Sequence, residues 1–270
     1  MKKNKNLKKF YNNVFAKGEE KTFTRRGNSG EILEIKNVLS EVSWKDKNVI
    51  DVGCGTGHFA YIIAKKGAKV LGIDFSEEAI KIAQKKYKHK NLSYEHVNLE
   101  KGIQNKFDII VSLGTIEHQD DPYKILQDFK NHLNVNGKII LTVPNWTNPR
   151  GYILMSLYYL FDAPITLADL HYFTPMTFVD WAKKLNMSLK WKTFDNTWAS
   201  GKILLEDFSR RLPNVLRDAG LPLKKKNIDK FLEWLDREII PLDHKSNLDG
   251  AMAVYVFMKK SNRNRKRSKE

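Results

Sequence analysis

Residues 49–59 read VIDVGCGTGHF and combine a short apolar run with a turn that contains three glycines. The run predicts a buried strand, and Gly53, Gly55 and Gly57 predict a tight turn, because glycine adopts backbone angles that other residues avoid. In an open α/β sheet, ligands bind beyond the carboxyl ends of the strands, where the strand order reverses. The turn after this first strand is therefore a candidate ligand site.

Strand and helix patterns alternate after this turn, with Ser76 and Asp121 as expected helix caps. Such alternation predicts a parallel sheet with helices on both faces. The last strand pattern follows a helical stretch of mixed charge at 202–240, which is consistent with an antiparallel strand that closes one edge. The strand patterns are NVIDV (48–52), KVLGID (69–74), LSYEHV (92–97), FDIIVSL (107–113), GKIILTV (137–143), MSLKWKTFD (187–195) and AMAVYVFMKK (251–260).

The glycine spacing and two acidic residues argue for a cationic ligand without phosphate. The turn has the spacing GxGxG, whereas dinucleotide-binding turns have GxGxxG, and the Asp51 carboxylate in the strand end would repel a pyrophosphate. S-adenosylmethionine carries an ammonium and a sulfonium that Asp51 could pair with. Asp74 ends the second strand, where an acidic residue accepts hydrogen bonds from ribose hydroxyls, and Phe75 could stack on adenine. The alternative is a structural turn beside a helix-capping aspartate.

The sequence resembles the class I S-adenosylmethionine-dependent methyltransferases over residues 47–143, and more loosely to its end. The resemblance implies a Rossmann-like sheet of seven strands with the last strand antiparallel, and methyl transfer from S-adenosylmethionine. The segments that carry it are VIDVGCGTG (49–57), VLGIDFS (70–76), VNLE (97–100), FDIIVSLGTIEHQDDP (107–122) and LNVNGKIILTVPN (133–145).

The resemblance also implies cofactor contacts outside the glycine turn. Asn98 and Leu99 would flank the adenine, Leu113 would approach the cofactor from the fourth strand, and Arg26 or its neighbour Arg25 would reach it from the N-terminal segment. The full set of expected cofactor-binding residues is Asp51, Gly53, Cys54, Gly55, Gly57, Asp74, Phe75, Asn98, Leu99, Leu113 and Arg26.

The end of the fourth strand carries the first evidence on the methyl acceptor. The sequence SLGTIEH lacks the prolines that hold an exocyclic amine in methylases of nucleic-acid bases. The chain has a single cysteine, which excludes the two-cysteine mechanism that forms 5-methylcytosine. The motif EH followed by DDP resembles the ubiquinone-biosynthesis O-methyltransferases and their small-molecule relatives, in which an ExxEH pattern can hold a divalent metal. Glu117 and His118 match that pattern, but Gly114 replaces the first glutamate, so we expect no bound metal. His118 or Glu117 could instead accept the proton of the acceptor; a local structural role for His118 is the alternative.

A second candidate base lies in the segment DLHYFTP. His171 could deprotonate a hydroxyl and Tyr172 could orient it, whereas a surface histidine beside a core Phe173 is an equally good interpretation. The preceding segment, GYILMSLYYLF at 151–161, is apolar on nearly every side. It could line a pocket for a lipid-like or aromatic acceptor, contact a membrane interface as a peripheral element, or form an ordinary core helix.

Composition bounds the remaining possibilities. The formal net charge of +16 suits an anionic partner, but lysines are spread over the chain and only MKKNKNLKK (1–9) and NRNRKRSKE (262–270) are dense basic runs. Nucleic acid is therefore the less favoured partner, with RNA methylation as the alternative function and a non-catalytic cofactor-binding protein as the third. A single cysteine and the absence of a signal-peptide pattern predict a cytoplasmic protein.

We divide the chain into five segments on these grounds. The predicted segments are an N-terminal helical cap at 1–45, an S-adenosylmethionine-binding core at 46–200, a helical insertion at 201–245 that acts as a lid or a dimer surface, the final strand at 246–260, and a disordered basic tail at 261–270.

Overall fold

The computed structural model of the chain describes residues 28–97, 104–166, 169–242, 246 and 248–259. Both dense basic runs of the sequence lie outside these residues, as do the predicted cofactor contacts Arg26, Asn98 and Leu99.

The described residues form strands and helices that alternate as predicted. The strands are β1 Asn48–Val52, β2 Lys69–Asp74, β3 Leu92–His96, β4 Phe107–Leu113, β5 Leu133–Pro144, β6 Met187–Phe194 and β7 Met252–Lys259. The helices are α1 Asn28–Leu39, α2 His58–Lys65, α3 Glu77–Lys86, α4 Pro122–Asn131, α5 Pro149–Phe161, α6 Pro175–Lys184, α7 Asn196–Ser200, α8 Lys202–Asp218 and α9 Lys225–Trp234. A 3₁₀ turn, Ile116–His118, follows β4, and a π turn, Leu235–Ile239, follows α9.

Two of the helices begin at the residues that the sequence indicates. The Ser76 hydroxyl accepts a hydrogen bond from the backbone N–H of Ala79 and caps α3. The Asp121 carboxylate accepts one from the N–H of Lys124 at the start of α4, where Pro122 is the first helical residue. These side chains satisfy backbone donors that have no partner within the helix, so the chain turns into each helix at a defined residue.

The sheet has seven strands in the order β3-β2-β1-β4-β5-β7-β6. β1 pairs in parallel with β2 and β4, β2 with β3, and β4 with β5. β7 runs antiparallel to both β5 and β6. The predicted fold class, a mostly parallel Rossmann-like sheet whose last strand is antiparallel, is therefore confirmed.

β5 is longer than its sequence pattern indicated. The apolar run begins at residue 137, but the strand starts at Leu133, which pairs with Phe107 across an irregularity in the β4–β5 register. Val135 in this extension is 88% exposed. Asn134 and Asn136 alternate with Leu133 and Val135 here, so the extension lacks the continuous apolar run that marks a buried strand, and the pattern missed it.

The strand order reverses between β1 and β4, and this reversal locates the candidate site. Connections leave β1 on one side towards β2 and β3, and the chain then returns to place β4 on the other side of β1. In open α/β sheets, the loops that follow the two strands diverge at such a point, and ligands bind in the crevice between them. The glycine turn and the segment that contains Glu117 and His118 are these two loops.

The chain divides into two compact units. The second consists of Pro144–Thr174 and Lys192–Ala253, and the first contains the remaining described residues. The first unit has a core of strand and helix residues such as Ile50, Ile63, Ile110, Phe129 and Phe178, all fully buried. The second unit has its own core, formed by Trp146, Leu154, Ala163, Ile165, Leu204, Phe208, Leu212, Val215 and Leu235.

The predicted insertion at 201–245 lies, where it is described, within the second unit. Its role as a lid or dimer surface stays a prediction, as do the other segment boundaries. None of the described helices combines the length and the apolar character needed to cross a bilayer.

Candidate functional site

The glycine turn after β1 has a left-handed backbone at each of its three glycines. The φ angles are 77° at Gly53, 52° at Gly55 and 83° at Gly57. A side chain at Gly53 would collide with Thr115, and one at Gly57 with the Tyr94 ring, whereas the space in front of Gly55 holds no described protein atom within 4 Å. Gly55 therefore presents bare backbone to open space, which is the geometry that lets a ligand approach the main chain.

Hydrogen bonds from the turn to β2 fix its shape. The backbone N–H groups of Gly53 and Cys54 donate to the carbonyl of Ile73 at 2.8 and 3.0 Å, and that of Gly55 donates to Asp74 Oδ2 at 2.9 Å. The Tyr94 hydroxyl on β3 donates to the carbonyl of Gly57 at 3.1 Å. Three adjacent strands thus hold the turn, so its glycine conformations are set before any ligand arrives.

Asp74 ends β2 and is the acceptor that joins the turn to the next helix. It is 6% exposed, and its Oδ1 accepts a hydrogen bond from the N–H of Ser76 at 2.8 Å. Burial raises the pKa of Asp74, and the hydrogen bonds from Ser76 and Gly55 oppose that rise in part. Each carboxylate oxygen can accept more than one hydrogen bond, so Asp74 keeps the capacity to accept from a diol.

Asp51 lies within β1 beside two other acidic groups. It is 2% exposed, and burial, together with the nearby charges of Asp74 and Glu34, raises its pKa to about 7. Glu34 comes from α1, where its carboxylate accepts a hydrogen bond from the Thr142 hydroxyl. Burying several carboxyls close together is costly unless a cation compensates them. The arrangement therefore suits a positively charged ligand and disfavours a phosphate.

Cys54 has the environment of an inert thiol. Burial raises its pKa well above the ordinary value, and the charges of Asp51 and Asp74 act in the same direction. Reactivity of a cysteine depends on the thiolate form, which this environment suppresses. Cys54 therefore contributes main chain and volume to the turn and no nucleophile.

The remaining predicted cofactor residues of the described chain occupy the same end of the sheet. Phe75 follows Asp74 directly and is partly buried, and its carbonyl accepts a hydrogen bond from His96 Nε2 at 2.9 Å. Leu113 is the last residue of β4 and is also partly buried. Asp51, the three glycines, Asp74, Phe75 and Leu113 thus all lie at or next to the carboxyl ends of β1, β2 and β4.

The loop after β4 carries two of the three predicted proton acceptors. Glu117 and His118 lie in the 3₁₀ turn, with Glu117 only 3% exposed and His118 partly buried. Gly114 has a φ of 55°, and a Cβ placed on it would lie 3.8 Å from Glu117 Oε1. Gly114, which stands where the ExxEH pattern has its first glutamate, therefore lies beside the Glu117 side chain.

His171, the third predicted proton acceptor, belongs to the second unit. Its ring stacks on Phe173, with centroids 5.6 Å apart and an interplanar angle of 10°. Phe173 is 5% exposed, so the histidine covers a core aromatic residue, as the local-structure interpretation of this segment expected. Tyr172 packs edge-on against Trp146 at 5.3 Å.

Two contributors to the acidic group and the turn had no signal in the sequence. Glu34 precedes β1 in a helix without any recognisable motif, and Tyr94 occupies an ordinary strand position. Both reach the site through tertiary packing, and only the described contacts with Thr142 and Gly57 reveal them.

Comparisons with known proteins agree with this geometry. The family model described as "Methyltransferase domain" matches residues 43–220. Among curated proteins, the ubiquinone biosynthesis O-methyltransferase of Actinobacillus pleuropneumoniae serotype 5b (strain L20) is 36% identical over 118 residues, which is 40% of this chain and 50% of that protein. The chain thus spans about half the length of the curated relatives it matches.

Solved structures share the fold at low sequence identity. A methyltransferase in complex with the Trm112 activator of Haloferax volcanii has a TM-score of 0.59 at 13% identity, covering 93% of this chain and 98% of that one. An S-adenosylmethionine-dependent methyltransferase of Thermotoga maritima has a TM-score of 0.57 at 17% identity, with coverage of 93% and 98%. At these identities the likeness shows the fold alone.

The family model spans well over half of the chain, from before β1 to the end of α8. The chain therefore belongs to the methyltransferase domain family, and its fold is that of the class I S-adenosylmethionine-dependent methyltransferases.

Proposed function

We propose that the protein transfers a methyl group from S-adenosylmethionine to a hydroxyl oxygen of a small or lipid-like acceptor. The observation that carries the cofactor part of the proposal is the group of two buried carboxyls, Asp51 and Asp74, and the partly buried Glu34, next to the open backbone of Gly55. This combination fits a cofactor that has a ribose diol and positive charge but no phosphate.

Each of these residues has a chemical role in holding the cofactor. Asp74 accepts hydrogen bonds from the ribose hydroxyls, Asp51 compensates the positive charge, and the glycines let the main chain approach. Phe75 covers the adenine, and Leu113 approaches the cofactor from the end of β4. Outside the described residues, we also assign Asn98 and Leu99 to the adenine and Arg26 to the cofactor. When bound, the cofactor supplies an electrophilic methyl group on a sulfonium.

Transfer to a hydroxyl requires alignment and removal of one proton. Holding the acceptor oxygen in line with the methyl group supplies much of the rate, because it replaces an encounter with a fixed geometry. A positioned base must take the hydroxyl proton as the new bond forms. His118, Glu117 and His171 are the proposed candidates for this role.

The lipid-like character of the acceptor is supported by an exposed apolar surface of the second unit. At the end of α5, Tyr159 is 75%, Leu160 71% and Phe161 49% exposed, and Tyr152 at its beginning is 63% exposed. Aromatic and aliphatic side chains at a helix surface are typical of contact with a membrane interface. We also propose that the enzyme is cytoplasmic and that it contacts a membrane surface through α5. The names of the curated relatives, which refer to ubiquinone biosynthesis, are consistent with an apolar acceptor.

Replacing Asp74 by asparagine tests the cofactor site. Asp74→Asn keeps the shape of the side chain but removes the charge that strengthens hydrogen bonds to the ribose, and we expect the dissociation constant for S-adenosylmethionine to rise about 10- to 100-fold. Glu95→Gln is the matched control, because Glu95 is exposed on β3 and pairs with Ile73 next to Asp74. Titration calorimetry on both folded variants measures the change. Equal affinity in the wild type and Asp74→Asn would refute the assignment of the ribose to Asp74.

The raised pKa of Asp51 predicts that cofactor binding depends on pH. A carboxyl with a pKa of about 7 holds its proton below that value, so its negative charge is present above pH 7 and lost as the pH falls. Affinity for S-adenosylmethionine should therefore decrease between pH 7.5 and pH 5.5, by about tenfold per unit well below the pKa. Asp51→Asn should bind weakly at every pH and show no such slope. A wild-type affinity that is constant over this range would contradict the pairing of Asp51 with the cationic cofactor.

Labelled S-adenosylmethionine and fractionated cell extract test the acceptor. We expect the label to enter the lipid or small-molecule fraction, at a rate that does not change when residues 263–269 are removed. The alternative, RNA methylation, requires label in the RNA fraction, with binding that weakens steeply as salt rises and as the basic tail is removed. Label in RNA alone would overturn the proposed acceptor class and leave the cofactor assignment intact. Bound cofactor with no labelled fraction would support a non-catalytic protein.

A further inference from the structure

The second unit contains a buried cluster of ionic groups that methyl transfer does not require. Arg150 in the first turn of α5 donates from Nε to Asp207 Oδ2 on α8 at 2.9 Å. Arg211 donates to the same carboxylate through two nitrogens, each at 3.1 Å, and also to the carbonyl of Ile165 at 2.7 Å. Arg210 reaches Asp207 Oδ1 at 3.4 Å from a mostly exposed position.

Positive charge is in excess around Asp207. Three guanidinium groups share a carboxylate whose side chain is 0% exposed. Burial opposes ionisation of Asp207, but Arg150 and Arg211 outweigh it and lower the pKa to about 2, so the carboxylate is charged at neutral pH. Asp169 contributes some negative charge near Arg150. Arg211 already binds both oxygens of Asp207, so Arg150 is not needed to neutralise the carboxylate.

Arg150 keeps unused hydrogen-bonding capacity despite its burial. The residue is 7% exposed, yet among the described residues the only hydrogen bond of its side chain is the one from Nε. Its two terminal nitrogens carry four further N–H donors in a planar fork that matches a carboxylate or a phosphate. The side chain of Arg150 is 8% exposed, so it is not wholly closed off from solvent.

The position of Arg150 in α5 adds to this argument. The Asn148 side chain caps α5 by accepting from the N–H of Gly151 at 2.9 Å, so Arg150 lies in the first turn of a helix of 13 residues. The helix dipole places partial positive charge at this end, which disfavours a cation and favours an anion. A bound anion would compensate both the dipole and the guanidinium.

Aromatic rings surround the guanidinium. Its central carbon lies 5.2 Å from the ring centroid of Trp146 and 5.9 Å from that of Trp198. Trp146 in turn contacts Tyr172 edge-on at 5.3 Å, and Tyr172 contacts Tyr158 at 4.8 Å. A cation beside a run of aromatic rings suits a ligand with a negative group attached to an aromatic ring.

We propose that the second unit binds an aromatic anion, an aryl carboxylate or aryl phosphate, through the terminal nitrogens of Arg150 and the partly buried ring of Tyr172. Binding of this anion needs no methyl donor. Its use in holding a methyl acceptor would rest, in addition, on the proposed function.

Arg150→Met and a small set of probe anions test this proposal. Methionine keeps an unbranched side chain between the tryptophan rings, and Arg211 and Arg210 still neutralise Asp207, so we expect the variant to fold. Tryptophan fluorescence and thermal unfolding of the full chain, at constant ionic strength and without S-adenosylmethionine, report the binding of benzoate and phenyl phosphate. Benzyl alcohol is the uncharged probe and inorganic phosphate the non-aromatic one. Arg217→Gln is the matched variant, because it removes the same charge from an exposed position on α8.

We expect benzoate or phenyl phosphate to bind the wild type and Arg217→Gln saturably, and Arg150→Met at least tenfold more weakly. Arg150→Lys, which keeps the charge but loses the fork, should bind with intermediate affinity and decides the question if Arg150→Met does not fold. Equal binding of benzoate by the wild type and the Arg150 variants, or no binding by the wild type, overturns the proposal. Inorganic phosphate that binds as tightly as phenyl phosphate overturns its aromatic part. None of these outcomes depends on methyl transfer, so they leave the proposed function to its own tests.

Discussion

The hydrogen bond from the backbone N–H of Gly55 to the Asp74 carboxylate joins the parts of the candidate cofactor site. It connects the glycine turn after β1 to the end of β2, while the other oxygen of Asp74 accepts from Ser76 at the start of α3. One buried carboxylate thereby fixes two loops that belong to different strands. Because both loops are held by the same group, the open face of Gly55 and the acidic end of β2 keep a constant relation to each other.

The charge of nearby carboxyl groups then determines what kind of ligand the glycine turn and the end of β2 accept. A dinucleotide site of the same topology needs backbone donors and positive charge for a pyrophosphate. Here Asp51, Asp74 and Glu34 bring negative charge close together in a buried place, and the pKa of Asp51 rises to about 7 as a result. A cationic cofactor removes this repulsion on binding. The same sheet topology is thus compatible with two cofactor classes, and the buried carboxyls select between them.

The fold, and the residues of the candidate cofactor site, could be predicted from the sequence because both predictions depend on local signals. Apolar runs, glycines and capping residues such as Ser76 act within a few residues of their positions, and the strands and caps they indicated are present. Glu34 could not be recognised, since only the packing of α1 against β5 brings it to the acidic group. The start of β5 was missed because Asn134 and Asn136 interrupt the apolar pattern there.

The same reasoning explains why the acceptor side is harder to infer. His118 and His171 are attractive by residue type, but a histidine on a turn or on a core phenylalanine looks the same in sequence whether or not it takes a proton. In the sequence Arg150 is only a basic residue in front of an apolar segment, whereas its buried contacts with Asp207, Trp146 and Trp198 appear only in three dimensions.

Parallel calorimetric titrations of the intact chain with S-adenosylmethionine and with NAD⁺ at pH 7.5 test the central claim most directly. The acidic group predicts saturable binding of one S-adenosylmethionine per chain and no measurable binding of NAD⁺, because the pyrophosphate would meet the Asp51 carboxylate at the glycine turn. Binding of NAD⁺ without binding of S-adenosylmethionine would contradict the account.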